Sequence, residues 1–224
     1  MPDRAVIFDL DGTLVDTAPD LMRATNHVLE GLDRRPITME EVRSFVGHGA
    51  RALLMRGLAA TGGLPEGYDV EPDYQRFVCF YSANIAGGSE VFPGLIPLLD
   101  RLKAEGFGLG VCTNKLEGLS VQLLDALDLS RYFGSVIGPD TLGIAKPDPR
   151  PFREAVARLG LVAPRAVMVG DSETDILTAR NAGVPVIAVP FGYTPRPVQE
   201  FGPDRMIHHF DEAYDAIQDL FALA

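Results

Sequence analysis

A doubly wound α/β fold, a Rossmann-like parallel sheet with an inserted all-helical cap, is what the 224-residue sequence predicts on three observations. Short runs rich in Val or Ile recur along the chain, helix-patterned stretches separate most of them, and one long segment behind the first run is helical throughout. Buried strands that alternate with helices imply a parallel sheet covered on both faces and joined by right-handed crossovers.

The first strand is Ala5–Phe8, and it runs straight into acids: "VIFDLDGTLVDT" (Val6–Thr17) places Asp9, Asp11 and Asp16 within eight positions. From Asp16 to about Ala86 nothing reads as a strand. Leu21–Leu32, Met39–Phe45, Ala50–Leu58 and Tyr74–Ile85 read as helices, with turn or hinge signals at Gly62-Gly63, Pro65, Gly67 and Gly87-Gly88. The predicted division is therefore a core of residues 1–15 and 87–224 and a cap of residues 16–86. An insert close behind a strand end is placed to fold over whatever that end holds, as a lid.

Beyond the insert, strands are expected at Leu109–Cys112, Ser135–Ile137, Ala166–Val169 and Pro185–Val189. Between them, Leu116, Leu119, Leu123, Leu124 and Leu127 keep the three-four spacing of an amphipathic helix. Ala155, Val156 and Leu159, and then Ile176, Leu177 and Ala179, repeat it on shorter stretches.

Composition narrows the function classes. Hydrophobic residues make up 46% of the chain, enough for a substantial core. No apolar run approaches the ~18 residues of a membrane span, and Asp3 and Asp9 stand where a signal peptide is basic and then apolar, so the expectation is a cytoplasmic protein. A net charge of −11 repels nucleic acid and anionic membrane alike. Cys79 and Cys112 form no CxxC pair and are expected as two buried, reduced thiols. The remaining histidines, His27, His208 and His209, lack metal-ligand spacing and read as structural or surface groups. Gly106, Gly108 and Gly110 miss the dinucleotide-binding spacing, and there is no GxxxxGK[ST] loop.

In open α/β sheets ligands bind beyond the carboxyl ends of the strands. Those ends carry, in order, Asp9 and Asp11; Thr113 and Asn114; a loop leading to Lys146; and Gly170-Asp171-Ser172-Glu173-Thr174-Asp175. Singly, each has an ordinary explanation as a helix cap, a turn residue or a solvated charge. Together they bring complementary chemistry to one sheet edge. Carboxylates ~4 Å apart repel by roughly 4 kcal/mol per pair at an effective dielectric near 20, a conflict that a divalent cation removes. An all-oxygen set suits Mg²⁺, whereas zinc favours His or Cys. With a lysine and hydroxyl and amide donors alongside, the remaining partner is an oxyanion, phosphoryl being the obvious one. The first acid is then placed to attack phosphorus and the second to handle protons.

These residues resemble the motifs of the haloacid dehalogenase superfamily of phosphohydrolases over almost the full chain. Its DxDGT motif stands as Asp9-Leu10-Asp11-Gly12-Thr13, its second motif as Thr113-Asn114, its third as Lys146, and its fourth as Gly170 to Asp175. The resemblance implies Asp9 as the nucleophile of an aspartyl-phosphate and Asp11 as acid and base. It implies Mg²⁺ held by the Asp9 and Asp171 side chains and the Asp11 backbone carbonyl, with Asp175 supporting through water. Thr113, helped by Asn114, would hydrogen-bond the phosphoryl group, and Lys146 would neutralise charge on it and on Asp9. Asp16 would cap or hinge the lid.

Within the superfamily, "FVGHGARALL" (Phe45–Leu54), "VCTNK" (Val111–Lys115) and "FGY" (Phe191–Tyr193) are most similar to the phosphoglycolate phosphatase branch, in which many relatives have Asn where this chain has His48. His48, with Arg51 behind it, is the implied cap contact. The partner is then a small phosphorylated metabolite, handled by a monomer or small homo-oligomer. Asp11 disfavours the dehalogenases, which lack that acid. The absence of lysine between Asp16 and Ala86 excludes the phosphonoacetaldehyde hydrolases, and Leu21 replaces the cap histidine of the β-phosphoglucomutases. Other small-phosphate monoesterases and pyrophosphatases share every core motif. A non-catalytic binding protein of this fold would be expected to have lost an acid, and none is missing.

Overall fold

The computed structural model describes residues 2–161 and 165–222. Ala5–Phe8 forms β1, and Val15–Asp16 a short β2. Four helices follow, α1 (Ala18–Glu30), α2 (Met39–Phe45), α3 (Ala50–Gly62) and α4 (Glu71–Ala83). The chain returns through β3 (Glu90–Val91) into alternating helices and strands: α5 (Leu95–Ala104), β4 (Gly108–Cys112), α6 (Glu117–Ala126), β5 (Ser135–Ile137), α7 (Pro139–Leu142) and α8 (Pro149–Arg158). β6 (Ala166–Gly170), α9 (Glu173–Ala182), β7 (Val186–Ala188), β8 (Arg205–Met206) and α10 (Ala213–Ala222) complete it.

Six strands form one parallel sheet in the order β5-β4-β1-β6-β7-β8, as the sequence predicts in class. β1 lies between β4 and β6, in register Val6 to Leu109 on one side and Val6 to Val167 on the other. The winding reverses beside β1, so the ligand crevice of such a sheet falls at the end of the strand that carries Asp9. Successive β1 side chains alternate between faces. Val6 and Phe8 join one apolar cluster with Leu98, Leu123 and Ile217, and Ala5 and Ile7 another with Phe152, Ala155 and Ile176. Full burial of each such aliphatic side chain contributes about 1.5–3 kcal/mol.

The first cluster continues into the insert through Leu21, Val28, Leu53, Leu54, Phe77 and Tyr81, so insert and sheet share one apolar core. Two chain connections link them, and they pair as an antiparallel ribbon with Val15 opposite Val91 and Asp16 opposite Glu90. This adds to the sequence expectation, which reads no strand from Asp16 to about Ala86 and places none at Val15–Asp16 or Glu90–Val91. Two residues per strand are too few to show a periodicity. Boundaries shift for local reasons as well. α1 begins at Ala18, ahead of the expected Leu21, because Pro19 suits a first helical turn; α4 begins at Glu71 with Pro72 in the same role. α2 is opened by a reciprocal cap: the Glu41 amide donates to Thr38 Oγ1 (3.2 Å) and the Thr38 amide to Glu41 Oε2 (2.8 Å).

The expectation of two buried thiols fails at Cys79, which is exposed, while Cys112 is buried in β4. α4 turns Asp73, Phe77 and Tyr81 inward, and Cys79, two positions beyond Phe77, lies off that stripe. His27 stacks on Phe80 with ring centroids 4.2 Å apart. Among the described residues no helix is long and apolar enough to cross a membrane.

Asp20 clasps the two connections together. Its carboxylate is 2% exposed, accepts from the Gly88 amide (3.0 Å) and the Ser89 hydroxyl (2.6 Å), and pairs with Arg23. Asp20→Ala leaves a buried amide and hydroxyl without an acceptor and is predicted to cost about 1–3 kcal/mol in urea denaturation. An unchanged midpoint would show that the clasp does not hold the insert.

Candidate functional site

Beneath the insert a cavity of about 190 Å³ meets the carboxyl edge of the sheet. Asp9, Asp11, Thr113, Asn114 and Asp171 line it from the sheet side, and His48, Arg51, Phe77 and Tyr81 from the insert. The first, second and fourth motifs therefore converge on one cavity. Lys146 and Asp175 lie beneath its surface, and they act on it through the residues above.

Asp9 continues the β1–β6 pairing, its amide donating to the Val169 carbonyl (2.9 Å). The chain then turns sharply, with the Leu14 and Val15 amides donating back to the Leu10 carbonyl (3.0 and 3.1 Å). Gly12 takes φ +83°, a conformation that glycine adopts without strain. Space is the stronger constraint: a Cβ on Gly12 would lie 2.6 Å from Asp171 Oδ2, and one on Gly192 would lie 2.2 Å from the same atom. Both glycines make room for the Asp171 carboxylate. Asp171 is then fixed by the Thr13 hydroxyl on Oδ1 (3.1 Å) and the Tyr193 amide on Oδ2 (2.5 Å).

Lys146 is the buried counter-charge. Its Nζ lies 2.9 Å from Asp9 Oδ1 and 2.6 Å from Asp175 Oδ1. The other Asp175 oxygen accepts from the Asp171 amide (3.2 Å) and from the Ser172 amide and hydroxyl (3.1 and 2.7 Å). Asp175 thus anchors both the lysine and the loop that presents Asp171. The contact of Lys146 with Asp9 is one of charge, because Asp9 Oδ1 has no aligned donor and is a buried acceptor without a hydrogen bond.

One carboxylate oxygen each of Asp9, Asp171 and Asp175 lies within 4.8 Å of the others. Burial raises the Asp9 carboxyl to about 6, with Lys146 opposing and Asp175 and Asp11 adding to the rise. Burial, then the Asp175 and Asp9 charges, lift Asp171 well above the usual carboxylate range. Burial works against the Lys146 ammonium, but Asp175 and Asp9 more than offset it and hold the ammonium above its ordinary value. Oxygen donors only, one orphaned buried oxygen and carboxylates pushed toward protonation by burial and then by one another's charge all fit a hard divalent cation.

The other expected residues divide. The Thr113 oxygen accepts the Lys115 amide (3.2 Å), which leaves its own hydroxyl hydrogen free on the cavity wall. The Asn114 side chain is committed to backbone: Oδ1 accepts the Lys146 amide (2.9 Å), and Nδ2 donates to the carbonyls of Gly47 (3.2 Å) and Lys146 (3.3 Å). It ties the Lys146 loop to the insert. Arg51 reaches the cavity, but its guanidinium pairs with Glu71 and stacks over Tyr74, 4.3 Å from the ring centroid. Asp16 sits at the junction of core and insert, where it accepts from the Ala18 amide (3.3 Å), the Tyr193 hydroxyl and Arg43 (2.8 Å).

Lys115 is the residue that motif spacing leaves without a role. Its Nζ lies 3.0 and 3.3 Å from the two Asp11 oxygens and 2.7 Å from the Tyr81 hydroxyl. Asp11 also accepts from the Thr17 hydroxyl (2.7 Å), so the second acid is held from the sheet side and from the start of the insert at once. The available signal is that Lys115 is one of only three lysines and directly follows the Thr-Asn strand end.

Fold and site together define an α/β enzyme of hydrolase type, with a group of strand-end acids that could hold a metal ion. The family described as "Haloacid dehalogenase-like hydrolase" matches residues 6–189, and the chain belongs to it. It is 51% identical over 205 residues to a phosphoglycolate phosphatase of Caulobacter vibrioides, covering 92% of this chain and 86% of that protein. It is 45% identical to a phosphoglycolate phosphatase of Mesorhizobium japonicum, covering 92% and 91%. A crystal structure described as a predicted phosphoglycolate phosphatase from Haemophilus somnus superposes with a TM-score of 0.88 at 29% identity, over 95% of this chain and 97% of that one. The chain is thus an enzyme of hydrolase type, similar to the phosphoglycolate phosphatases.

Because burial raises the Asp9 carboxyl of the folded chain to about 6, from an ordinary 3.8, the metal-free protein is predicted to lose stability as pH rises through that window. Asp171 acts in the same direction. Mg²⁺ is predicted to raise the melting temperature more at about pH 7.5 than at about pH 5, where protons compete for the same oxygens. Equal shifts at the two pH values, or none, would remove the cation from this cluster.

Proposed function

We propose that the chain hydrolyses a small phosphate monoester through a phosphorylated Asp9, with Mg²⁺ as cofactor and 2-phosphoglycolate as preferred substrate. The observation that carries this is the Asp9 carboxylate itself, buried at the cavity floor with an oxygen that no donor caps, beside Lys146 and one turn from a second acid.

Asp9 and Asp171, with the Asp11 backbone carbonyl, would hold the ion, which when bound supplies charge neutralisation for the phosphoryl oxygens. An Asp9 oxygen attacks phosphorus, the bond to the ester oxygen breaks, and Asp11 gives its proton to the departing alkoxide. Water then attacks the acyl phosphate, Asp11 takes the proton, and phosphate and free Asp9 result. Thr113 has a hydroxyl hydrogen to give the transferring group, and Lys146 balances Asp9 from below. The insert shields these steps from bulk water, its Gly47 carbonyl and Tyr81 hydroxyl hydrogen-bonded to Asn114 and Lys115 of the sheet edge.

Support for 2-phosphoglycolate is the small cavity and the two relatives above, both named for that ester. The surroundings are those of a cytoplasmic metabolic enzyme acting on a small phosphorylated metabolite, with neither nucleic acid nor membrane as partner. Asp9→Asn is predicted to lower turnover by at least about 10³-fold while the far-ultraviolet dichroism stays unchanged. Full activity in a folded variant would refute the mechanism. In a panel of monoesters at matched concentration, 2-phosphoglycolate is predicted to have the highest kcat/KM. A larger sugar phosphate or pyrophosphate ahead of it by about tenfold would overturn the substrate assignment.

A further inference from the structure

We propose that Lys115 is the specificity-determining cation of the site, receiving a carboxylate carried on the carbon next to the ester oxygen, with the Tyr81 hydroxyl as its second donor. Resting on the hydrolase reading above, it assigns to one residue the discrimination between charged and neutral leaving alcohols.

Position comes first. Asp11 must reach the ester oxygen within hydrogen-bond distance to protonate it. Lys115 Nζ is 3.0 Å from Asp11 and lines the same cavity, so it stands on the alcohol side of the bond that breaks. In a phosphate ester of an α-hydroxy acid the carboxylate oxygens lie three bonds from the ester oxygen. They fall beside this ammonium when the ester oxygen faces Asp11.

Capacity comes second. An ammonium has three N–H donors, and the longest of the three Lys115 contacts, 3.3 Å to Asp11 Oδ2, duplicates the 3.0 Å contact to the same carboxylate, so that donor can turn to a substrate carboxylate while Asp11 and Tyr81 stay held. Tyr81 accepts from Lys115, so its own O–H remains available. Its phenol stays protonated, since burial pushes it up to about 12. A lysine 7% exposed and a tyrosine 1% exposed, joined at 2.7 Å, present two donors from fixed positions, one on the sheet edge and one on the insert. Little entropy is lost in aiming them.

The other cations of the site are differently placed. Lys146 lies beneath the cavity, held by Asp9 and Asp175. Arg51 is half-exposed at the insert's side and paired with Glu71. In a chain with 31 acids and three lysines, two of the lysines are buried at this site. Lys146 serves the nucleophile, and Lys115 serves the other end of the substrate.

A structural role confined to holding Asp11 makes a different prediction, because it weakens all esters equally. The test compares 2-phosphoglycolate with 2-hydroxyethyl phosphate, a neutral-ended ester of the same length, in wild type, Lys115→Met, Lys115→Arg and Tyr81→Phe. Wild type is expected to prefer the carboxylate ester. Lys115→Met is expected to lose about 100-fold more kcat/KM on that ester than on the neutral one, chiefly through KM, and Lys115→Arg to recover most of the preference. Tyr81→Phe is expected to lose about tenfold in the same selective sense. If Lys115→Met does not fold, Lys115→Gln, which can hydrogen-bond both Asp11 and Tyr81, is expected to show the same selective loss. Equal losses on the two esters in a wild type that cleaves both overturn this assignment alone. A wild type inert on every monoester removes the hydrolase reading and the assignment with it.

Discussion

Three buried carboxylates, Asp9, Asp171 and Asp175, crowd around a single buried ammonium, Lys146, and the surrounding structure keeps this unbalanced group together. Pairs of like charges at such separations cost roughly 4 kcal/mol each at an effective dielectric near 20, and one lysine does not offset three acids. Packing and geometry hold what electrostatics opposes. Fully buried strands β1 and β6 fix Asp9 and Asp171 side by side. Gly12 and Gly192 leave room for the Asp171 carboxylate, and Ser172 and the loop amides pin Asp175. Burial first, and then the neighbouring carboxylates, raise the Asp9 and Asp171 carboxyls above their ordinary value. A group of oxygens in this state could hold a divalent cation.

The helical insert completes the site from the other side. Thr17 at its start holds Asp11, Tyr81 on α4 holds Lys115, and the Gly47 carbonyl meets Asn114. Each contact joins the insert to a residue within three positions of a strand end. Asp11 is therefore set partly by where the insert sits, while Asp9 is set from the sheet side, by the β1–β6 pairing and Lys146. Asp16 and Tyr193 link the two where the chain passes from core to insert.

What was legible in the sequence follows chain locality. Asp9, Asp11, Thr113 and Asp171 each stand directly after a Val- or Ile-rich run, so strand prediction and motif place them on one edge, and the structure brings them to one cavity. The parallel sheet and the helical insert are legible for the same reason. The roles of Lys115 and Asn114 were not, because their partners are far away in sequence or are backbone atoms: Lys115 meets Asp11 across 104 positions, and Asn114 reaches the Gly47 carbonyl across 67. The exposure of Cys79 is not legible because hydrophobic composition says nothing of which helix face a residue occupies. The β2–β3 ribbon was missed because its strands are two residues long.

The central claim is that Asp9 carries the phosphoryl group during turnover. Acid quenching of the enzyme in the act of hydrolysing labelled 2-phosphoglycolate, followed by peptide mapping, tests it most directly. The account predicts base-labile phosphate on the peptide spanning Asp9 and Asp11, assigned to Asp9 by fragmentation. Label on another residue, or steady turnover with no labelled protein in a quench fast enough to capture a single cycle, would contradict it.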